Sequence, residues 1–123
     1  MTILVTGGTG ILGRPTVDLL RASGHDVRVL SRSTGGDLTT GAGVAEALVG
    51  VDTLLHLATS ASRTDVPQTQ RLIDAAVAAG VAHVVYISIV GVDVVPYSYY
   101  RAKFACEHNI ERTRIPFTIL RAT

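Results

Sequence analysis

At 123 residues with a formal net charge of +1, the chain has the length of one domain spanning residues 1–123 and is small for an enzyme. Its ten arginines are scattered and form no basic run, which leaves no footprint for nucleic acid or an anionic membrane surface. A single cysteine, Cys106, excludes an internal disulfide and points to a reducing, cytoplasmic compartment, and with only His108 nearby in sequence it reads as a packing residue rather than a nucleophile.

The chain opens on a short apolar run, Ile3-Leu4-Val5, which predicts a strand over 2–6. This strand occupies the place a signal peptide would need, so secretion is not expected. Directly after it comes Thr6-Gly7-Gly8-Thr9-Gly10-Ile11-Leu12-Gly13, and then a helical pattern from Ile11 to Ser23 closed by Gly24. A strand that turns through glycines straight into a helix leaves the first helical N–H groups without partners, aimed at one spot with the positive end of the helix dipole behind them. That spot suits a pyrophosphate. Gly7 permits the turn, Gly10 lets the backbone approach the phosphates, and Gly13 lets the helix pack on the sheet. Gly7, Thr9, Gly10, Ile11, Leu12 and Gly13 are therefore candidate dinucleotide contacts, with the glycines spaced Gly-x-x-Gly-x-x-Gly rather than in the commoner pattern.

A second strand is expected over 26–30. Its end, Ser31-Arg32-Ser33, offers no carboxylate for the ribose 2′-hydroxyl of NAD, whereas Arg32, with Arg14 just after the third glycine, suits the 2′-phosphate of NADP. NADP is thus expected ahead of NAD; two surface arginines in an arginine-rich chain are the plain alternative. The stretch from Ser33 to Gly41 has no apolar run, so the third strand of a 3-2-1-4-5-6 sheet should be absent or a two-residue stub. A helix over 44–49, a strand over 52–57, a helix over 66–79 capped by Gly80, a strand over 83–88, a helix over 97–112 and a strand over 117–120 complete the reading. This alternation is that of an α/β doubly wound parallel sheet, a Rossmann fold. Ala75 to Val92 runs eighteen residues without a charge, but Gly80 and the β-branched residues after it divide the run into helix end and buried strand, so no membrane span is expected.

The one lysine, Lys103, stands four residues after Tyr99 on the 97–112 helix, so the two share a face. An ammonium beside a phenol favours the phenolate and brings its proton nearer to use at neutral pH, and the same lysine can donate to the cofactor ribose. Ser88, at the carboxyl end of its strand, is placed to donate to a substrate carbonyl. Tyr99, Lys103 and Ser88 form the candidate catalytic set; Tyr97 and Tyr100 crowd the tyrosine assignment, Tyr100 being the competitor. His56, inside a strand, reads as a buried imidazole, and the other histidines lack metal-ligand spacing, so no metal site is expected.

The glycine loop 6–13, Gly36-Asp37-Leu38, the strand ending His56-Leu57-Ala58, the Ser88 strand end, Tyr99-x-x-x-Lys103 and the segment Phe117 to Arg121 together resemble the short-chain dehydrogenase/reductase superfamily. More narrowly, the chain is similar to its atypical branch of NmrA-like and sugar-nucleotide-epimerase-like NAD(P)-binding proteins. The resemblance implies that Asp37 and Leu38 contact the adenine and that Ala58 and Thr59 line the cofactor. It also implies a third strand before Asp37 and a continuation past the last strand that holds much of the substrate pocket, neither of which this sequence carries; the C-terminal substrate region is missing from it. The expected function is an oxidoreductase moving hydride between NADP(H) and a small carbonyl or quinone. The alternatives are a non-catalytic NAD(P)-binding or redox-sensing module, or an inactive fragment of a reductase or epimerase. An apolar last strand without cover also predicts self-association into a homo-oligomer.

Overall fold

The computed structural model describes residues 1–59 and 63–123. Five strands, β1 (Thr2–Thr6), β2 (Asp26–Leu30), β3 (Thr53–His56), β4 (His83–Ile89) and β5 (Phe117–Ala122), form one parallel sheet in the order β2-β1-β3-β4-β5. The helices are α1 (Gly13–Ala22), α2 (Val44–Ala47), α3 (Asp65–Ala79) and α4 (Ser98–Glu111). Helices between successive parallel strands are what the crossover geometry requires. No strand lies between β2 and α2; in its place are a 3₁₀ turn at Arg32–Thr34 and a loop, leaving β2 at the edge of the sheet.

Two apolar layers hold the helices on. Val17 of α1 packs with Ile3, Val5 and Val27 on one face. On the other face, Leu4, Leu54, Val84 and Tyr86 meet Val44 and Leu48 of the α2 segment, Leu72, Ile73 and Ala76 of α3, and Cys106 and Ile110 of α4. Strand alternation assigns each residue its layer: β4 reads half-buried and buried in strict turn, with Val84, Tyr86 and Ser88 inward toward α3 and α4. The α1 face is not covered to the same extent along β5, where Leu120 is 53% exposed.

The elements expected from sequence are present, with shifted ends. The first helix begins at Gly13 rather than Ile11, because a Cβ at Gly13 would lie 1.9 Å from the Gly7 carbonyl: the helix starts where it touches the turn, and Ile11 and Leu12 stay in the exposed loop. Within this helix Leu19 faces solvent, and Val17 and Leu20 make the contact with the sheet. The fourth helix starts at Ser98, with Tyr97 in extended backbone as its cap. Among the described residues no helix is long and apolar enough to cross a membrane, and the uncharged run 75–92 is the end of α3 followed by β4.

Candidate functional site

The carboxyl ends of the strands open onto a cleft of about 1090 Å³ whose walls come from the β1–α1 turn, the end of β2, the 36–39 loop, the end of β3, the end of β4 and α4. Ligands approach open α/β sheets at this edge.

The turn is fixed by backbone contacts. Gly7 has φ +69°, and a Cβ there would press on the Ala58 backbone at 2.8 Å. Gly8, not singled out from sequence, is pinned between Val29 and Val17, where a Cβ would meet Val29 at 2.9 Å. Gly10 differs: a Cβ there would find only the Gly7 carbonyl, at 3.4 Å. The protein's own packing therefore does not demand glycine at position 10, and what glycine preserves is open space above the loop. Among the described residues, no acceptor takes the N–H groups of Ile11, Leu12 or Gly13. Donors at a helix start beside unfilled space make a cradle for an anion.

Of the two arginines expected at a 2′-phosphate, only Arg32 lines the cleft, beside Ser31 and Ser33. Arg14 is placed differently: its Nε donates to the Thr9 carbonyl at 2.9 Å, bracing the glycine loop, and it is not among the residues lining the cleft. Asp37 and Leu38 reach the cleft without the third strand. Asp37 Oδ1 accepts the Thr39 N–H at 2.8 Å, and the Leu38 side chain packs against the main core.

Ala58 and Thr59 stand on the opposite wall, and their placement depends on a link the sequence did not reveal. Thr6 Oγ1 accepts the N–H groups of Leu57 and Ala58, each at 3.1 Å. With both lone pairs used, the hydroxyl proton goes to His56 Nδ1, 2.6 Å away, so Nε2 carries the imidazole proton and donates to Thr69 Oγ1 at 2.9 Å. His56 is fully buried, which, with the nearby Lys103 ammonium, lowers its pKa to about 4 against the opposing pull of Asp65. A neutral imidazole thus ties the ends of β1 and β3 to α3. Thr59 Oγ1 donates to Asp65 Oδ2 at 2.5 Å, fixing the next residue of that wall.

Tyr99, Tyr100 and Lys103 all face the cleft from α4. Tyr99 and Tyr100 meet edge to face, ring centres 6.0 Å apart, so the structure brings both phenols to the same end of the cleft. Lys103 Nζ donates to the Ile87 carbonyl at 3.0 Å and sits 4.8 Å from the centre of the Tyr86 ring. Burial pulls its pKa down, and the Asp65, Cys106 and Glu107 charges oppose that. Tyr86, whose phenol burial pushes up, stacks on His56 at 5.5 Å and so serves as a platform between the two bases; sequence showed it only as a strand residue. Cys106 is buried and its thiol is likewise raised by burial, as befits a packing residue.

Ser88 departs from expectation. It borders the cleft, but its place in the alternation turns the side chain inward, and its Oγ is buried without a hydrogen bond of normal geometry. It faces Glu107 closely enough to add to the stabilisation of that carboxylate, which burial alone would raise and which Arg121 holds low through bonds of 2.8 and 3.0 Å. A hydroxyl so placed does not present itself to a substrate carbonyl.

A model of the NmrA-like family matches residues 1–123. The chain belongs to the NmrA-like family. Among solved structures it is similar to a short-chain dehydrogenase/reductase superfamily protein from Agrobacterium tumefaciens with bound NAD, at 31% identity and TM-score 0.82 over 98% of this chain and 48% of that one. It is also similar to triphenylmethane reductase from Citrobacter sp. complexed with NADP(H), at 25% identity and TM-score 0.76 over 98% of this chain and 49% of that one. Photosystem II assembly factor Ycf39 of Trieres chinensis is 29% identical over 98% of this chain and 45% of its own length. This NmrA-like chain spans about half the length of these relatives.

Proposed function

We propose that the cleft binds a nicotinamide dinucleotide, NADP(H) in preference to NAD(H), and that the chain is the cofactor-binding part of an oxidoreductase acting on a small carbonyl or quinone. The observation that carries this reading is the cradle over Gly10: N–H groups at the start of α1 beside space that a single Cβ would fill. Similarity to structures holding NAD and NADP(H) supports the same cofactor class.

In this reading the N–H groups of Ile11, Leu12 and Gly13 would hold the pyrophosphate, with Gly10 leaving the space for it and Thr9 at the edge of the loop. Asp37 and Leu38 would hold the adenine, Ala58 and Thr59 would line the rest of the cofactor, and Arg32 would meet the 2′-phosphate. The nicotinamide, when bound, supplies hydride transfer. Tyr99 donates the proton to the substrate oxygen, and Lys103, one N–H already anchored on Ile87, uses its others to orient the ribose. With Ser88 turned toward Glu107, polarising the carbonyl falls to the tyrosine.

Isothermal titration with NADP and NAD side by side tests the cofactor assignment. NADP should bind about tenfold more tightly than NAD, and Arg32→Ala should close that gap. Equal, weak affinities in the wild type would contradict it. For the chemistry, NADPH turnover with carbonyl and quinone panels should fall about 100-fold in Tyr99→Phe and much less in Tyr100→Phe; a Tyr99→Phe rate equal to wild type removes Tyr99 from the mechanism.

A further inference from the structure

The 36–39 loop reaches the cleft although no strand precedes it, and α3 holds it there. The Arg71 guanidinium donates through Nη1 to the carbonyl oxygens of both Leu38, at 2.7 Å, and Thr39. One turn earlier, Gln68 Nε2 donates to Thr39 Oγ1 at 3.0 Å. The path for the arginine is kept open by Gly41, which has φ +84° and where a Cβ would lie 3.1 Å from Arg71 Cδ. Asp37, Leu38, Thr39 and Gln68 line the cleft, whereas Arg71 stands behind them. In a complete doubly wound sheet, an added strand would carry this loop on ladder hydrogen bonds. Here the loop's backbone bonds from Asp37 on, Asp37 N–H to Ala42 and Gly41 N–H to Asp37, close it on itself, and only the Gly36 N–H, donating to Ser31 just past β2, leads back toward the sheet.

We propose that Arg71, assisted by Gln68, is a positioning residue for the adenine end of the cofactor: α3 takes over the task of the missing strand by gripping two consecutive carbonyls and so holds Asp37 and Leu38 at the cleft wall. A charge-assisted grip on two acceptors is directional, and a planar fork suits it better than a single point charge. The proposal rests on the dinucleotide reading above, and its test separates the two. ADP probes the loop and the phosphate cradle together, while inorganic pyrophosphate probes the cradle alone.

Titrations of wild type, Arg71→Met and Arg71→Lys with ADP and with pyrophosphate, alongside thermal melts, decide it. Arg71→Met should weaken ADP about tenfold, leave pyrophosphate affinity and Tm near wild type, and be partly rescued by Arg71→Lys, whose ammonium can still reach a carbonyl. Unchanged ADP affinity in Arg71→Met overturns the positioning role, and so does a parallel loss of ADP, pyrophosphate and Tm, which marks a general structural one. If Arg71→Met does not fold, Arg71→Lys decides alone, a loss of ADP affinity without loss of pyrophosphate affinity supporting the role and unchanged ADP affinity opposing it. Wild type that binds neither probe overturns the cradle itself, and the proposal with it.

Discussion

At the β1–α1 end of the cleft the wall is backbone: Gly7 lies against Ala58 and Gly13 against the Gly7 carbonyl, and neither approach admits a side chain. At the β4–β5 end the wall is side chains, Tyr99, Tyr100, Ile87 and Ile89, next to a strand whose Leu120 and Phe117 remain well exposed. The first region is over-determined by contacts among residues of the turn and β3's end. The second is a surface that still has room to be covered. Binding a dinucleotide asks chiefly for the first, whereas choosing and reducing a substrate asks for the second.

The contrast breaks most severely at Gly13. Gly13→Ala should destabilise the chain by about 3 kcal/mol or more, because the new Cβ collides with backbone that cannot move aside, and dinucleotide binding should disappear with it; a near-normal melt would show that the turn is not held as described. His56 comes next. Its pKa lies at about 4 in the folded chain and near 6.5 when unfolded, so the unfolded state takes up the extra proton between those values and stability falls as pH drops from 6.5 to 4, by about 3 kcal/mol at the lower end. Above pH 6.5 the contribution is fully present. Urea titrations across that range should show the slope in wild type and lose most of it in His56→Gln, which is less stable overall but has no proton to gain.

Gly10→Ala sharpens the comparison from the other side. It should cost less than about 1 kcal/mol of stability and yet weaken NADP by about tenfold or more, since the space it fills belongs to the ligand. Equal losses in stability and binding would make Gly10 one more packing glycine. The smallest effect concerns the open end: we expect concentration-dependent self-association in size-exclusion chromatography, reduced by Leu120→Ser. A monomer at every concentration would count against it.

The glycine turn, the parallel alternation and the absent third strand were legible because each depends on residues close together in sequence. A β-branched run, a helix period and a glycine after a strand are local signals, and the lack of any apolar residue from Ser33 to Gly36 is one too. The Thr6–His56–Thr69 link joins residues up to fifty positions apart, and Arg71 meets the 38–39 carbonyls across more than thirty, so neither leaves a spacing to read. The direction of Arg14 is not legible, because a guanidinium near a glycine loop looks the same in sequence whether it faces a phosphate or bonds back to the loop. Ser88 shows another limit: its alternation with Val84 and Tyr86 is visible in sequence, but a strand end does not by itself say whether that alternation faces the cleft or α4.

The most direct measurement is a ¹H–¹⁵N NMR titration of the chain with NADP, following the backbone amides. The N–H signals of Ile11, Leu12 and Gly13, which lack an acceptor in the free chain, should move most and shift downfield as they bond the pyrophosphate, with Arg32 and Asp37 following. Saturating NADP that leaves those three amides unmoved would contradict the cradle.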